Sequence, residues 1–386
     1  MAVGIRGTGV ILPAPGMGEL VVSKNRKLLK AFIWFVLLAA MLSGCSGDSM
    51  AGYTRYSYEF LGSFDTVIRF VGYAKSQREF ETMAKSGETR FMELHRLFDI
   101  YNDYEGINNI KTINDNAGIK PVEVSREIID LIQFSKEWYN KTGGTVNIAL
   151  GQVLNIWHEY RERGLDDPDG ARLPPMEELL EAKQYCDISK VIVDPDDNTV
   201  FLADRNMSID VGAIAKGFAV EIVAKELQEK GYSSFLISAG GNVKVVGRPM
   251  DSTRSKWGIG ILDPDGAAQD EENSTLDTIY INQGSAVTSG DYQRYYTVDG
   301  RRYHHLIDPE TLMPAFHYRS VTVYAMDSAQ ADFMSTTLFL LPYEKSRKLA
   351  DDMEGIEAMW VFPDGSIQAT DGMKSMLKVL GGATNK

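Results

Sequence analysis

Cysteine is nearly absent from this 386-residue chain, which has only Cys45 and Cys186. No internal disulfide network can hold the fold, so stability must come from a hydrophobic core. The chain also lacks a basic surplus: 40 Lys and Arg stand against 53 Asp and Glu, a net charge of −13. Nucleic acid is therefore not expected as a partner. No apolar run reaches the roughly 20 residues that a membrane-spanning helix needs. After the first fifty or so residues, no low-complexity linker or long charge block interrupts the pattern. Internal repeats are absent too. One large domain, with room for a bilobed arrangement, is the expectation.

The amino-terminal segment differs from the rest. Lys24, Arg26, Lys27 and Lys30 precede an uncharged run from Ala31 to Leu42, the layout of a signal peptide. The run closes on Leu42-Ser43-Gly44-Cys45, which resembles a bacterial lipobox, so residues 1–44 are expected to be removed and Cys45 to carry a lipid. Residues 46–52, rich in Ser and Gly, read as a tether. The segment to be removed holds five basic residues and one acidic, leaving 35 against 52, or −17, in the mature chain. The expected location is a bacterial cell membrane, lipid-anchored and facing the periplasm or outside.

The hydrophobic periods place elements along the remainder. Residues 56–72 alternate as a strand or hairpin, and 77–98 have helical spacing. A second helix is predicted over 128–141, ending at Gly143-Gly144. Residues 191–202 read as two short strands around the turn 194–198. A helix over 214–230 is closed by Gly231, and a buried strand over 234–238 runs into Gly240-Gly241. Further strands are predicted at 257–262, 278–282, 320–325 and 358–362, with helices at 329–341 and 343–352. Strands and helices mixed without strict alternation predict an α+β fold.

Four constellations could carry chemistry. In Ser208-Ile209-Asp210-Val211-Gly212-Ala213-Ile214-Ala215-Lys216-Gly217, a strand delivers a carboxylate into a small-residue turn that opens a helix, and such an N-terminus suits an anionic ligand. Alone, this fits a capped helix with an exposed lysine equally well. Ser238-Ala239-Gly240-Gly241-Asn242 ends a strand where side chains would block a ligand, or is a simple turn. The third constellation is Thr288-Ser289-Gly290-Asp291-Tyr292 followed by Tyr303-His304-His305-Leu306-Ile307-Asp308-Pro309. There His305 fits a base and Asp308 its orienting neighbour. Zinc is disfavoured, because adjacent histidines on an extended segment point to opposite faces and no cysteine or third histidine lies at ligand spacing. In the fourth, Asp332 and Thr336 are spaced i, i+4, which puts two oxygen donors on one helix face and suits Mg²⁺. A helix with a solvated threonine would have the same spacing.

Together and in this order, the motifs resemble the ApbE-like FAD:protein FMN transferase family over nearly the whole mature chain. That family's Asp-Leu-Gly-(small)-Ile-Ala-Lys-Gly-Tyr, Gly-Gly-Asn, Thr-Ser-Gly-Asp-Tyr, Ser-His-Ile-Ile-Asp-Pro and Ala-Asp-(x)-(x)-Ser-Thr segments all have counterparts here. Tyr101 to Tyr104 with Asn114, and Thr142 to Gly151 with Trp157, resemble two further family stretches. The resemblance implies a T-fold-like, α+β flavinyltransferase domain over residues 56–380, preceded by the lipidated tether of residues 45–55. It implies Mg²⁺ on the Ala213 carbonyl, Asp332 and Thr336, with FAD as substrate. FAD would touch Phe64, Tyr104, Thr145, Val146, Asn147, Asp210, Lys216, Gly240, Gly241 and Leu306. His305 falls at the family's catalytic histidine. Two departures stand out: Asn147 replaces the family's Asp, and Asp65-Thr66 replaces an early Gly-Thr. The implied reaction moves FMN from FAD to a Ser or Thr hydroxyl of an exported or membrane-complex flavoprotein and releases AMP. A hydrolase that lets water attack, and an FAD-binding lipoprotein without chemistry, need the same residues in part.

Overall fold

The computed structural model describes residues 52–267 and 274–386. The signal segment, Cys45 and the first tether residues lie outside the described residues. Residues 52–386 form one compact unit, built on an eight-stranded sheet in the order β1-β2-β6-β7-β10-β13-β14-β15. The strands are β1 (Thr54–Ser63), β2 (Thr66–Ala74), β6 (Phe235–Ala239), β7 (Asn242–Val246), β10 (Gly284–Gly290), β13 (Ser320–Ala325), β14 (Glu357–Val361) and β15 (Ile367–Ala369). Every adjacent pair is antiparallel. Three smaller pieces complete the strand content: β3 (Val122–Glu123) with β5 (Thr199–Leu202) and β4 (Val191–Asp194), the hairpin β8 (Trp257–Leu262) and β9 (Thr275–Ile281), and the ribbon β11 (Tyr295–Val298) and β12 (Arg301–His304). The fold is α+β, as the mixed pattern predicts.

Each face of the large sheet buries its own core. On one face lie helices α1 (Gln77–Phe98), α2 (Ile110–Asp115), α3 (Arg126–Lys141), α6 (Ala215–Glu229), α7 (Ser328–Leu340) and α8 (Tyr343–Asp352), packed around Phe70, Phe91, Phe235, Phe333 and Trp360. On the other face the β8–β9 hairpin lays Trp257, Ile259, Ile261 and Ile279 against Val71, Val245 and Met359, joined by Met373 of α9 (Asp371–Met376). A third cluster joins α4 (Gly151–Asp166) and α5 (Met176–Lys183) to the β11–β12 ribbon through Val153, Trp157, Leu179 and Tyr296.

Helix α7 is buried on nearly every side along its length, with the polar Asp332, Ser335, Thr336 and Thr337 inside. Its hydroxyls are satisfied locally: Ser335 Oγ donates to the Asp332 carbonyl at 2.9 Å and Thr337 Oγ1 to the Phe333 carbonyl at 2.9 Å. Its first turn is capped by Asp327, which accepts from the N–H groups of Ala329 and Gln330. Glu221 of α6 also reaches this end, its Oε2 accepting from the Ser328 N–H at 2.7 Å and from Lys244 Nζ at 2.8 Å. Glu221 and Lys244 are both buried, and the ammonium beside it holds the Glu221 carboxyl below its usual range despite its burial.

Candidate active site

One cleft of about 450 Å³ opens between these cores. Two tight turns stand side by side at its edge. In the β6–β7 turn, Ala239 pairs with Asn242, leaving Gly240 and Gly241 as a two-residue loop with φ of 51° and 88°. That geometry needs positive φ at both positions, hence glycine. A side chain at Gly240 would also meet Thr66 Oγ1 at 2.6 Å. In the neighbouring β1–β2 turn, Ser63 pairs with Thr66, so Phe64 and Asp65 fill the same two positions with φ of 53° and 51°. A phenylalanine in this region is strained, and the Phe64 ring stands edge-on to His95 at 5.5 Å. The early Gly of the family pattern thus sits at a left-handed position, which Asp65 tolerates as aspartate often does.

The carboxylate of Asp210 reaches the cleft from a pinned segment. Asn114 accepts from the Ile209 N–H at 2.8 Å and donates to the Ile209 carbonyl at 3.0 Å. Asp210 itself accepts from the Gly212 N–H at 2.7 Å, and burial raises its pKa. The chain then turns into α6, with Ala213 and Lys216 on the cleft wall.

Opposite lies α7, where Asp332 and Thr336 both line the cleft. Asp332 is only 5% exposed. Its Oδ2 accepts from the Gly217 N–H at 2.7 Å across the α6–α7 crossing. Burial pushes its carboxyl upward in pKa, and the charge of Lys216 and the Gly217 N–H oppose that rise. Thr336 Oγ1 lies 3.4 Å from Ser289 Oγ, which is itself 2.8 Å from Ser335 Oγ. No group of three or more His, Cys, Asp or Glu side chains gathers among the described residues. A buried carboxylate short of compensating charge, with a hydroxyl one turn along the same helix and the Ala213 backbone on the same cleft, instead forms an oxygen-only, sparse donor set. That chemistry fits a hard divalent cation that keeps part of its own water shell.

The two adjacent histidines divide as the extended segment predicts. His304 is buried, its Nδ1 accepting from the Leu306 N–H at 3.2 Å, so Nε2 carries the hydrogen and donates to the Ala315 carbonyl at 2.8 Å. Burial pushes its pKa down to about 4. His305 lines the cleft, and its Nδ1 is buried without a partner among the described residues. Burial pushes its pKa well below the ordinary value, helped by the positive charge of Arg294, Lys216 and Arg161. At neutral pH His305 is an uncharged imidazole with a free nitrogen.

A sequence model of the ApbE family matches residues 64–360. The chain belongs to the ApbE family. A Treponema pallidum protein named FAD:protein FMN transferase is 34% identical over 283 residues, covering 70% of this chain and 75% of that protein. A Klebsiella pneumoniae protein of the same name is 33% identical over 274 residues, covering 69% and 81%. The crystal structure of the ApbE protein from Thermotoga maritima superposes with a TM-score of 0.71 at 29% identity, over 84% of this chain and 99% of that one.

Within this ApbE-family chain, the cleft brings together Phe64, Thr145, Val146, Asn147, Asp210, Ala213, Lys216, Gly240, His305, Leu306, Asp332 and Thr336. Three predicted residues fall elsewhere. Asp308 does not orient His305: its Oδ1 accepts from the N–H groups of Glu310 and Thr311, capping the turn that follows. Tyr104 does not line the cleft: its hydroxyl donates to Asp99 Oδ2 at 2.7 Å, the same Asp99 accepts from the Tyr101 N–H, and of these two tyrosines Tyr101 is the one on the cleft wall. Gly241 shapes the turn but does not line the cleft. Asn147 lines it with its amide already engaged, donating to the Cys186 carbonyl at 2.8 Å and accepting from the Ala149 N–H at 2.8 Å. An aspartate there could not donate to that carbonyl, which gives the departure a structural reason.

Sequence reasoning missed Arg161, His158, Arg294 and Ser289, all on the cleft wall. Arg161 lies one turn beyond Trp157 on α4, with Nη2 2.6 Å from His158 Nδ1, so the i, i+4 spacing from that tryptophan puts it on the same helix face. Ser289 sat inside a quoted motif without a role.

Proposed function

We propose that this protein is a Mg²⁺-dependent FAD:protein FMN transferase, moving FMN from FAD to a Ser or Thr hydroxyl of a partner flavoprotein and releasing AMP. The observation that carries this reading is the convergence of the Asp332–Thr336 oxygen pair, the cationic side chains of Lys216, Arg161 and Arg294, and the free imidazole of His305 in one cleft. The names borne by the Treponema and Klebsiella relatives support the same reaction.

Asp332, Thr336 and the Ala213 carbonyl would hold the metal. When bound, Mg²⁺ supplies charge neutralisation at the pyrophosphate and at the AMP that departs. Lys216, at the start of α6, adds a fixed positive charge on the same wall. His305, uncharged because its surroundings disfavour the imidazolium, accepts the proton of the acceptor hydroxyl. The acceptor oxygen forms a bond to the FMN phosphorus while the bond from that phosphorus to the AMP oxygen breaks. The electron pair leaves with AMP, and a phosphoester joins FMN to the acceptor. Phe64, Trp157 and Leu306 give the cleft apolar walls that limit water.

The acceptor is a flavoprotein of a membrane redox complex or another exported flavoprotein. A lipid on Cys45 would keep the transferase at that membrane surface. No helix among the described residues is long and apolar enough to cross a membrane. The test is to combine pure protein, FAD, Mg²⁺ and a candidate acceptor. Covalent flavin fluorescence on a denaturing gel, with one AMP released per flavin attached, is expected. Free FMN and AMP formed at the same rate without acceptor would identify a hydrolase instead.

A further inference from the structure

The β11–β12 ribbon delivers a second group to the cleft besides His305. Tyr295 of β11 stands opposite His304 of β12, and the His305 N–H donates to the Arg294 carbonyl at 3.0 Å, so Arg294 and His305 extend the ladder as the next facing pair. Facing residues on antiparallel strands put their side chains on one side of the ribbon, within contact range. Both line the cleft. Arg294 is poorly committed elsewhere: among the described residues its one ion pair is with Asp65 at 3.7 Å, with both side chains open to solvent. A guanidinium presents five donors in a planar fork that matches a phosphate. That single long contact leaves most of them for a ligand.

Resting on the reading of this cleft as an FAD site, we propose that Arg294 is a phosphate-binding residue for the dinucleotide, holding a phosphate oxygen beside its cross-strand partner His305. The electrostatics of the wall agree with this placement. The charged and titratable groups that act on His305 are Arg294, His304, Lys216 and Arg161, and Arg294 also acts on Asp210 and His158. One guanidinium thus acts through its charge on the base, the Asp210 carboxylate and the α4 histidine, all of which line the same cleft. Its charge has two consequences: it attracts the phosphate, and it adds to burial in disfavouring the imidazolium of its neighbour.

The test is a fluorescence titration of the full chain with FAD and with riboflavin, which has no phosphate, for the wild type, Arg294→Gln and Arg294→Lys. The expected result for Arg294→Gln is FAD affinity weaker by roughly 10- to 100-fold, with riboflavin affinity and apoprotein melting temperature unchanged. Arg294→Lys should lose less, because it keeps the charge but not the fork. In FMN transfer, the acid limb of Arg294→Gln should move to higher pH, because His305 loses a cationic neighbour. Unchanged FAD affinity in Arg294→Gln, or an equal loss for FAD and riboflavin, would overturn the phosphate contact. An acid limb that stays in place would overturn the pairing with His305. A wild type that binds no FAD would remove the FAD reading of the cleft itself, and this proposal with it.

Discussion

Replacing Gly217 by Ala tests how closely the two helices that carry Lys216 and Asp332 must approach. A methyl built there would lie 2.4 Å from Asp332 Cβ and 2.4 Å from the Ser328 carbonyl oxygen. Ordinary contact between carbon atoms begins near 3.5 Å, so the α6–α7 crossing must open by roughly 1 Å. Neither neighbour is the loose end of a flexible chain: one is a backbone oxygen, and the other is the first side-chain atom of the buried carboxylate. Helix propensity acts in the opposite direction and alone would make Gly217→Ala more stable by about 0.5–1 kcal/mol. Overpacking costs about 1–3 kcal/mol, so the net expectation is a loss of stability and a lower melting temperature. The same parting pulls the Gly217 N–H away from Asp332 Oδ2, now 2.7 Å distant. A displacement of about 1 Å at reacting groups can cost about 100-fold in rate. Thermal melts and single-turnover FMN transfer would measure both effects. Gly260→Ala, where the added methyl meets only Thr275 side-chain atoms at 3.5 Å and beyond, serves as the control and should change little. A Gly217→Ala protein that melts higher than wild type and transfers FMN at the wild-type rate would refute the close-approach reasoning.

Other outcomes follow from single residues. His305→Ala should bind FAD with near wild-type affinity yet lose transfer by about 100- to 10,000-fold, measured by comparing titration with turnover; unchanged transfer would remove it as the base. Because the His305 pKa lies well below 6.5, the imidazole stays neutral as pH falls through that value. The acid limb of kcat/KM should therefore appear below pH 6.5, and a limb centred at or above 7 would contradict the assigned environment. Lys244→Met leaves the buried Glu221 carboxylate with only the exposed Lys225 ammonium, 3.3 Å from its Oε1, and should cost about 3 kcal/mol in chemical denaturation, much of it recovered in Glu221→Leu/Lys244→Met. In the wild type, the depressed pKa of Glu221 means its contribution is present above the ordinary glutamate value and is lost as pH falls through the folded-state pKa. Acid melts of wild type and double variant should therefore converge at low pH.

The sequence made most of the frame legible because its signals were local and strong. Helix α1 has the predicted boundaries, with Ser76 capping it through the Glu79 N–H. The hairpin at 191–202 turns at Asn198, whose φ of 51° suits asparagine, and Gly231, with φ of 91°, follows α6. Strand β10 hid for a physical reason. Gly284-Ser285-Ala286-Val287-Thr288-Ser289-Gly290 has the small polar composition of a loop, yet it runs through the middle of the sheet under α7. Small side chains are required there, as the 2.8 Å contact from Ser289 Oγ to Ser335 Oγ shows. Helices α4 and α5 lie outside the predicted elements, and Trp157 of α4 shows why: its indole N–H donates to the Leu312 carbonyl at 2.8 Å, a long-range contact with no local signature.

The candidate site was legible where one element carries two partners, as with Asp332 and Thr336 on α7 or the split between His304 and His305. It was less so where proximity depends on pairing between distant segments. Asp308 is close to His305 in sequence, yet the turn it caps takes its carboxylate, while Arg294 reaches the cleft through strand register alone.

The most direct test of the central claim is ³¹P NMR of FAD bound to excess protein, with substoichiometric Mn²⁺ in place of Mg²⁺. Both pyrophosphate resonances should broaden in the wild type and stay sharp in Asp332→Asn. Equal broadening in the two proteins, or none in either, would contradict a metal held by α7 against the substrate phosphates.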